Sequence, residues 1–341
     1  MDPALPAALR AAVDLALEGR ALGSGAPGGL TQRAGSISEG YRRGRASSAL
    51  VKDEADALAY ALTRMPATYA ATRRALQEIL ALRPRFSPAT LLDAGAGPGG
   101  AAWAALDALP SLSAVARLDH SLAFLDLAER LAAHGPRALA GADRLLADLS
   151  APDFKAPEAD LVVAAYALTE IAPERRVGAA LRLLAATRDL LLIVEPGSTE
   201  AWRRGVEIRS ALIDAGAHLV GPCPHPAPCP LQAPDWCHFA QRLPRSRAHR
   251  LTKAGTAPFE DEKFFWLAFA RAPTDLRERA GARVIAPTRL GKTGVRLRLC
   301  QADGAVTELQ IPRREREAFH RARRLEWGSA FDPGTRPDLA R

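Results

Sequence analysis

The sequence predicts an α/β fold built around a parallel sheet, and three observations lead to that prediction. From residue 90 onward, short apolar segments of strand length alternate with helical segments. A glycine-rich turn follows the first of these strands, where a helix is expected to begin. With 341 residues, of which 48% are hydrophobic and 25% charged, the chain is long enough for a buried core and two or three domains.

Residues 1–85 are predicted to form a helical region. Apolar residues there recur at steps of three and four, as on one face of a helix: Val51, Ala55, Leu58, Leu62 and Met65. Pro66 is expected to end or kink that helix near Arg64.

The sheet is predicted to lie in a domain over residues 86–275, with a cysteine-rich insertion at 221–255. Its candidate strands are 90–95, 114–119, 144–148, 159–166, 190–197 and 263–272. Residues 276–341 are predicted to form a small β-rich module that ends in a basic helix, "RREREAFHRARRLEWG".

The turn "LLDAGAGPGG" indicates the cofactor. Gly95, Gly97 and Gly100 fit G-x-G-x-x-G, which alone is a weak signal for a dinucleotide. Asp93 just before the turn would repel a pyrophosphate but would favour the ammonium and sulfonium groups of S-adenosylmethionine. The D-x-G-x-G-P-G arrangement therefore resembles motif I of class I S-adenosylmethionine-dependent methyltransferases, a Rossmann-like fold, and its cofactor glycines would be Gly95, Gly97 and Gly99.

Two further acids follow predicted strands. Asp119 could accept hydrogen bonds from both ribose hydroxyls, although an NAD site would use a similar acid. Asp148 matches the acid that faces the adenine amino group in these methyltransferases. The alternative is that these acids and glycines have only structural roles, as ordinary turn acids and core glycines. No catalytic residue is identified; Tyr166 and Glu170, after the fourth strand, are weak candidates, and Glu170 could equally cap the next helix.

Three of the four cysteines lie in "GPCPHPAPCPLQAPDWCHF", a segment with too many prolines for a helix. Cys223, Cys229 and Cys237 lack the close pairs of a zinc ribbon, and Cys300 lies far along the chain. This pattern favours a four-thiolate iron–sulfur cluster, [4Fe–4S], closed by the tertiary fold. A zinc site that uses His225 or His238, and free buried thiols, are the alternatives.

The net charge of +8, with arginine far commoner than lysine, favours a polyanionic partner such as RNA. The candidate RNA-binding residues follow the cysteines: Arg242, Arg245, Arg247, Arg250 and Lys253. The alternatives are a solvated charged face and arginine used wherever any cation would serve. No apolar run is long enough to predict a transmembrane helix, and the early acids argue against a secretory signal, so a cytosolic protein is expected.

Taken in order, several segments resemble the methyltransferase-like proteins of the mitochondrial ribosomal small subunit and their bacterial relatives. They are "AYALTRMPATYAA", "LLDAGAGPGG", "VEPGS", "CPHPAPCP", "DWCHF", "RSRAHRLTKAG" and "FEDEKFFWLAFAR". The resemblance implies a class I methyltransferase fold, a role in small-subunit assembly or translation through rRNA contact, and an iron–sulfur cluster on Cys223, Cys229, Cys237 and Cys300.

The leading hypothesis is therefore an S-adenosylmethionine-binding, iron–sulfur-containing protein that methylates or binds small-subunit rRNA. The alternatives are a non-catalytic assembly factor that uses the fold as a platform, and a small-molecule methyltransferase. The partner is expected to be small-subunit rRNA or the pre-ribosomal subunit, with no membrane, and the free protein is expected to be monomeric. Because no mitochondrial presequence is evident, a bacterial cytoplasmic member is expected.

Overall fold

A mixed eight-stranded sheet organises the molecule. The computed structural model describes residues 4–19, 29–253, 256–274, 276 and 280–332. The strands of this sheet are β1 (Thr90–Ala94), β2 (Ala114–Asp119), β3 (Asp143–Leu146), β4 (Ala159–Ala165), β5 (Thr187–Pro196), β6 (His218–Gly221), β7 (Phe239–Pro244) and β8 (Phe259–Ala270). They run in the order β3-β2-β1-β4-β5-β8-β6, and β7 also pairs with β8.

Strands β1 to β5 are mutually parallel, whereas β8 inserts antiparallel between β5 and β6. This order, with one antiparallel strand between the fifth and sixth, is that of class I methyltransferases. The predicted fold class is confirmed, and all six predicted strands are present. The central strands have apolar middle residues because both faces of the sheet are covered. On β5, Leu190 and Leu192 enter one core while Leu191 and Ile193 enter the other.

One face of the sheet carries the amino-terminal helices together with α6 and α7. The helices here are α1 (Ala7–Ala16), α2 (Leu30–Arg42), α3 (Ser47–Leu50), α4 (Glu54–Thr63), α5 (Met65–Leu82), α6 (Gly100–Ala108) and α7 (Leu122–Ala132). Pro66 lies in the first turn of α5, where its missing N–H costs no helical bond. The predicted helix break near Arg64 is therefore confirmed.

The opposite face is covered by α9 (Pro173–Ala185) and α10 (Thr199–Asp214), which pack on β5 and on each other. A short helix, α8 (Arg137–Ala140), precedes β3, and α11 (Arg247–Thr252) follows β7. Within the described ranges, no helix combines the length and apolar composition needed to cross a bilayer.

The carboxyl-terminal module is a separate five-stranded antiparallel sheet with one helix and its own small core. It comprises β9 (Ala282–Val284), β10 (Arg289–Leu290), β11 (Gly294–Gln301), β12 (Val306–Pro312), α12 (Arg316–Ala322) and β13 (Ala330–Phe331). The Arg283 guanidinium donates to the carbonyl of Pro222 at 2.9 Å, and Arg298 pairs with Asp235 at 2.8 Å. The module is thus docked on the segment that carries the cysteines.

Candidate functional site

A cavity of about 270 Å³ opens at the carboxyl edge of the parallel strands. Its wall includes the turn after β1, the end of β2, the loop after β3 and the end of β4, through Gly95, Gly97, Asp119, Asp148 and Tyr166. Open α/β sheets bind their ligands at this edge. Four of the six predicted cofactor residues therefore line one cavity.

The glycine turn needs its glycines for two different reasons. Gly95, Gly97 and Gly99 all have positive φ, at 75°, 53° and 92°, where other residues are strained. A Cβ on Gly95 would also lie 2.5 Å from the Cβ of Ala167, whereas a Cβ on Gly97 would meet nothing within 4 Å. Gly99 lies outside the cavity wall, at the start of α6. Gly95 thus allows close packing, and Gly97 allows the conformation.

Asp93 lies beneath the turn rather than on the cavity wall. Its side chain is fully buried, and Oδ2 accepts a hydrogen bond from the backbone N–H of Ala102 in the first turn of α6. Its Oδ1 has no partner, and burial raises the pKa of Asp93 to about 7. This carboxyl group therefore stabilises the strand–turn–helix connection, and any effect on a bound cation would act through space.

Asp119 and Asp148 present carboxylate oxygens to the cavity. Asp119 accepts from the backbone N–H of Gly97 at 2.8 Å and of Ser121 at 2.9 Å, and burial nevertheless raises its pKa. Burial acts in the same direction on Asp148, but bonds from the Ser150 N–H and hydroxyl outweigh it and lower the pKa of Asp148. Both groups accept hydrogen bonds, which fits the ribose hydroxyls and adenine amino group of S-adenosylmethionine.

Glu170 connects the amino-terminal helices to the carboxyl edge of the sheet by hydrogen bonds. Its carboxylate accepts bonds from the Ser47 N–H at 2.8 Å, the Ser47 hydroxyl at 2.5 Å and the Tyr41 hydroxyl at 3.0 Å. It therefore holds α2 and α3 rather than capping α9. No local sequence signal marks Ser47 or Tyr41 as its partners, because more than 120 residues separate them from Glu170.

Tyr166 has a left-handed backbone, with φ of 58°, directly after β4. Its hydroxyl donates to Glu262 Oε1 at 2.8 Å, and burial raises the pKa of the phenol well above its usual value. A non-glycine residue in this conformation is strained, and such strain is concentrated at functional sites. The two weak catalytic candidates thus lie at the cavity, with their polar groups already hydrogen-bonded.

A second cavity of about 770 Å³ adjoins the first and shares Tyr60, Tyr166, Glu170 and Arg175 with it. Its other charged and aromatic lining residues come from α2 to α5 and α9 to β8: Tyr41, Arg45, Arg64, Arg176, Glu200, Arg204 and Glu262. Local sequence patterns do not indicate this cavity, because distant segments meet to form it.

All four cysteines are free, and they border one core. Cys300, on β11, is buried, while the other three lie on the irregular segment between β6 and β7. Burial, and then the charge of the neighbouring thiols, raise the pKa of Cys300 to about 12 and also raise the pKa of Cys237. In the described part of the chain, no three or more His, Cys, Asp or Glu side chains are grouped as a metal site.

The two histidines of the cysteine segment differ in position. His225 Nε2 lies 3.3 Å from Cys300 Sγ. His238 instead packs against both Trp236 and Trp327, with ring centroids 5.3 and 4.0 Å away. Of the two histidines, His225 has a ring nitrogen beside a thiol, so it is the histidine better placed for the mixed zinc site.

The basic run after the cysteines is largely neutralised by carboxylates of β8. Arg242 forms two bonds to Asp261, at 2.7 and 2.9 Å. Arg245 and Lys253 both bond Glu260 Oε2, each at 2.7 Å. Arg250 is half-buried, which leaves Arg247 as the most available of the five predicted RNA-binding cations.

A larger set of cations is exposed on the carboxyl-terminal module, and we call it the module patch. Its members are Arg289, Lys292, Arg296, Arg313, Arg314, Arg316, Arg323 and Arg324. Across β10 and β11, Arg289 is directly opposite Arg296. Like charges in that position repel each other, so an anion bound between them would be stabilised.

The strand order and the cavity at its carboxyl edge define a protein with the S-adenosylmethionine-dependent methyltransferase fold. Residues 54–332 match the family described as mitochondrial small ribosomal subunit Rsm22. The chain belongs to that family. The predicted resemblance to methyltransferase-like proteins of the small ribosomal subunit is therefore confirmed.

The human ribosome assembly protein METTL17, mitochondrial, is 29% identical over 306 residues. The match covers 82% of this chain but 65% of the human protein, so the chain spans less than two thirds of that relative.

Solved structures with some likeness include two methyltransferases. One is the magnesium protoporphyrin IX methyltransferase from Synechocystis PCC 6803 with bound S-adenosylmethionine, with 13% identity and a TM-score of 0.40, covering 65% of this chain and 85% of that one. The other is an O-methyltransferase family 2 protein from Planctomyces limnophilus DSM 3776, with 14% identity and a TM-score of 0.43. The match covers 65% of this chain and 62% of that one.

Proposed function

We propose that this protein binds S-adenosylmethionine in the 270 Å³ cavity and acts as a methyltransferase-like protein on small-subunit rRNA during ribosome assembly. The observation that carries this proposal is the convergence of Gly95, Gly97, Asp119 and Asp148 on one cavity at the carboxyl edge of the sheet. Family membership supports the ribosomal setting.

The residues of the cavity would hold the cofactor as follows. Asp119 would accept from the ribose hydroxyls and Asp148 from the adenine amino group, while the positive φ of Gly97 lets the backbone approach closely. S-adenosylmethionine supplies an electrophilic methyl group on a sulfonium, so the chain needs to align a nucleophile with it and exclude water. Tyr60 and Tyr166, which line both cavities, are placed to do both.

The module patch supports contact with RNA. Its eight exposed cations can neutralise phosphates, whereas three of the five cations predicted from the sequence are engaged by Asp261 and Glu260. We assign the main phosphate contacts to the module patch, with Arg247 as a contributor from the predicted set.

We also propose that Cys223, Cys229, Cys237 and Cys300 hold a [4Fe–4S] cluster. Support comes from the donor set: four free thiols border one core, and neighbouring thiols add to burial in raising the pKa of Cys237 and Cys300. Thiols with raised pKa values stay protonated without a cation, so assembly of the cluster would release protons and draw the thiolates together. The cluster would order a segment that has no helix or strand.

A second candidate function is a non-catalytic assembly factor that uses the fold as a binding platform. The favouring observation is that Glu170 and Tyr166 are both held by internal hydrogen bonds. Neither is thereby free to act as a base in the structure described.

Cofactor binding and methyl transfer test these proposals separately. Titration calorimetry should show S-adenosylmethionine binding to the wild type and to the control Asp126→Asn, an exposed acid on α7. Asp119→Asn should weaken binding by about tenfold or more, since a charged acceptor is lost. If Asp119→Asn binds like the wild type, the cavity assignment is wrong.

The same protein, with its metal centre intact, is then incubated with immature small subunits and methyl-labelled cofactor. Labelled rRNA supports the enzyme, whereas tight rRNA binding without label supports the platform.

A further inference from the structure

The 770 Å³ cavity adjoins the cofactor cavity, and Tyr60 and Tyr166 line both. A volume in this range is typical of pockets that enclose a small ligand. It is also larger than the 270 Å³ cavity assigned to the cofactor, so it offers room for a second molecule beside the cofactor.

The wall of this cavity carries three arginines that form no ion pair with the described residues. In the residues described, no carboxylate lies within ion-pair distance of Arg45, Arg64 or Arg175; Arg45 donates to a carbonyl, and Arg64 lies over a ring. Two other lining arginines are already engaged. Arg176 donates to the carbonyls of Leu168 and Ile171, and Arg204 pairs with Glu200.

The carboxyl groups of the wall are fewer than its cations: three glutamates, Glu170, Glu200 and Glu262, line it together with five arginines. Glu170 accepts bonds from Ser47 and Tyr41, and Glu262 accepts one from Tyr166. Burial raises the pKa of both glutamates, and the Arg64 charge opposes that shift at Glu262. The cavity therefore favours a ligand with negative charge.

Flat aromatic surfaces complete the wall. Tyr41, Tyr60 and Tyr166 line it, and the Arg64 guanidinium lies 5.4 Å from the centroid of the Tyr41 ring. Aromatic rings and guanidinium planes are the surfaces on which proteins stack unpaired RNA bases. A guanidinium also binds phosphate in a fixed geometry, which a lysine would not do.

We infer that this cavity binds a single unpaired RNA nucleotide, with its phosphate at Arg45, Arg64 and Arg175 and its base toward Tyr60 and Tyr166. A base in that position would face the cofactor cavity, as needed when an enzyme takes a base out of its stack. This inference deepens the proposed function and rests on it for the RNA substrate. The strained backbone of Tyr166 at the junction agrees with such a role.

The test measures the binding of AMP, GMP, CMP and UMP, and of the matching uncharged nucleosides, by titration calorimetry. At least one nucleotide should bind about tenfold more tightly than its nucleoside, because of charge-assisted bonds to phosphate. Arg64→Gln and Arg45→Gln should remove that difference. Arg188→Gln is the matched control, since Arg188 pairs with Glu158 at the opposite edge of the sheet. Arg45 is exposed, so its variant keeps the test valid if Arg64→Gln misfolds.

Several results would overturn the inference. Equal binding of nucleotides and nucleosides, or equal effects of Arg45→Gln and Arg188→Gln, would show that the cavity does not read phosphate. Binding of inorganic phosphate or citrate as tight as that of any nucleotide would show a pocket for small acids without a place for the base. Single-stranded RNA should displace a bound nucleotide, and duplex RNA of the same sequence should not. Displacement by the duplex but not by the single strand would also contradict the inference.

Failure of this inference is distinguishable from failure of the proposed function. Arg45→Gln and Arg64→Gln should keep S-adenosylmethionine binding, while Asp119→Asn should lose it and keep nucleotide binding. Loss of both in Asp119→Asn would contradict the two-pocket arrangement.

Discussion

At the scale of single residues, the glycine turn separates two reasons for having no side chain. Gly95 and Gly97 both have positive φ, so any other residue pays a conformational cost of about 1–2 kcal/mol. Gly95 additionally lies against Ala167, where a Cβ would come within 2.5 Å, while the space around Gly97 is open. The two positions thus form a natural matched pair.

We expect Gly95→Ala to lower the free energy of unfolding more than Gly97→Ala. The first substitution adds a steric clash, of order 1–3 kcal/mol for overpacking, to the backbone cost that both share. Chemical denaturation of both variants measures the difference. Equal losses of unfolding free energy would mean that Ala167 moves away without cost and that the close approach at Gly95 does not affect stability.

Gly95, Gly97, Asp119 and Asp148 could be predicted as cofactor-binding residues because they lie in the glycine turn or at the ends of predicted strands, and all four line the cavity. Asp93 was predicted to bind the cofactor as well, but spacing alone could not show that its carboxyl group lies beneath the turn and outside the cavity wall. Ser47 and Tyr41 were missed, since their contact with Glu170 depends on how α2 and α3 pack on the sheet.

At the scale of elements, the segment between β6 and β7 is the clearest case of structure without regular hydrogen bonding. It carries three cysteines, and the Arg283 and Arg209 guanidinium groups donate to its carbonyls at Pro222, His225 and Ala227. Its missing ladder bonds are thus partly replaced by arginine donors from α10 and β9. A metal centre would complete this support from the inside.

We expect anaerobically purified protein to hold about four iron and four acid-labile sulfide per chain. Cys300→Ser should lose them as fully as Cys229→Ser, because either change removes one of four thiolates. His238→Gln is the control, since that ring packs against tryptophans rather than against a thiol. Metal and sulfide analysis with a visible spectrum is the measurement.

One zinc per chain without sulfide would refute the cluster, and loss of that zinc in His225→Gln would identify the mixed site instead. Retention of iron in Cys300→Ser would refute the long-range ligand.

Strand prediction succeeded where parallel strands are buried on both faces, as in β4 and β5. It missed β6 and β7, because β6 has only four residues and β7 ends at a proline in a charged run. Their strand character comes from pairing with β8, which lies up to 52 residues along the chain from His218. Such pairing is a property of the tertiary structure.

At the scale of the whole molecule, the net charge of +8 is distributed unevenly. Cations near β7 and α11 face the acids of β8, whereas the module patch faces solvent. Composition correctly indicated a basic protein, but the location of the available charge depends on which carboxylates the fold brings near each arginine.

We expect RNA affinity to fall steeply with salt, and the double variant Arg289→Gln/Arg296→Gln to reduce that slope by about two. The reason is that each phosphate contact releases counterions when it forms. Arg242→Gln is the control, because Arg242 is paired with Asp261 and should leave the slope nearly unchanged. Filter binding of a small-subunit rRNA fragment over a salt series measures the slopes.

If only Arg242→Gln lowers the slope, the RNA-binding residues are those predicted from the sequence, between Arg242 and Lys253, and not the module patch. Weak binding that does not depend on salt would instead favour a small-molecule methyltransferase.

The bond network of Glu170 has a thermodynamic consequence. Ser47 and Tyr60, from the amino-terminal helices, share the cofactor cavity wall with residues of the sheet. A ligand that touches both sides therefore stabilises their docking by its own binding free energy. Binding of the cofactor would then protect the segment around residues 41–50 from proteases. Conversely, a change that disrupts this segment would weaken the affinity for the cofactor.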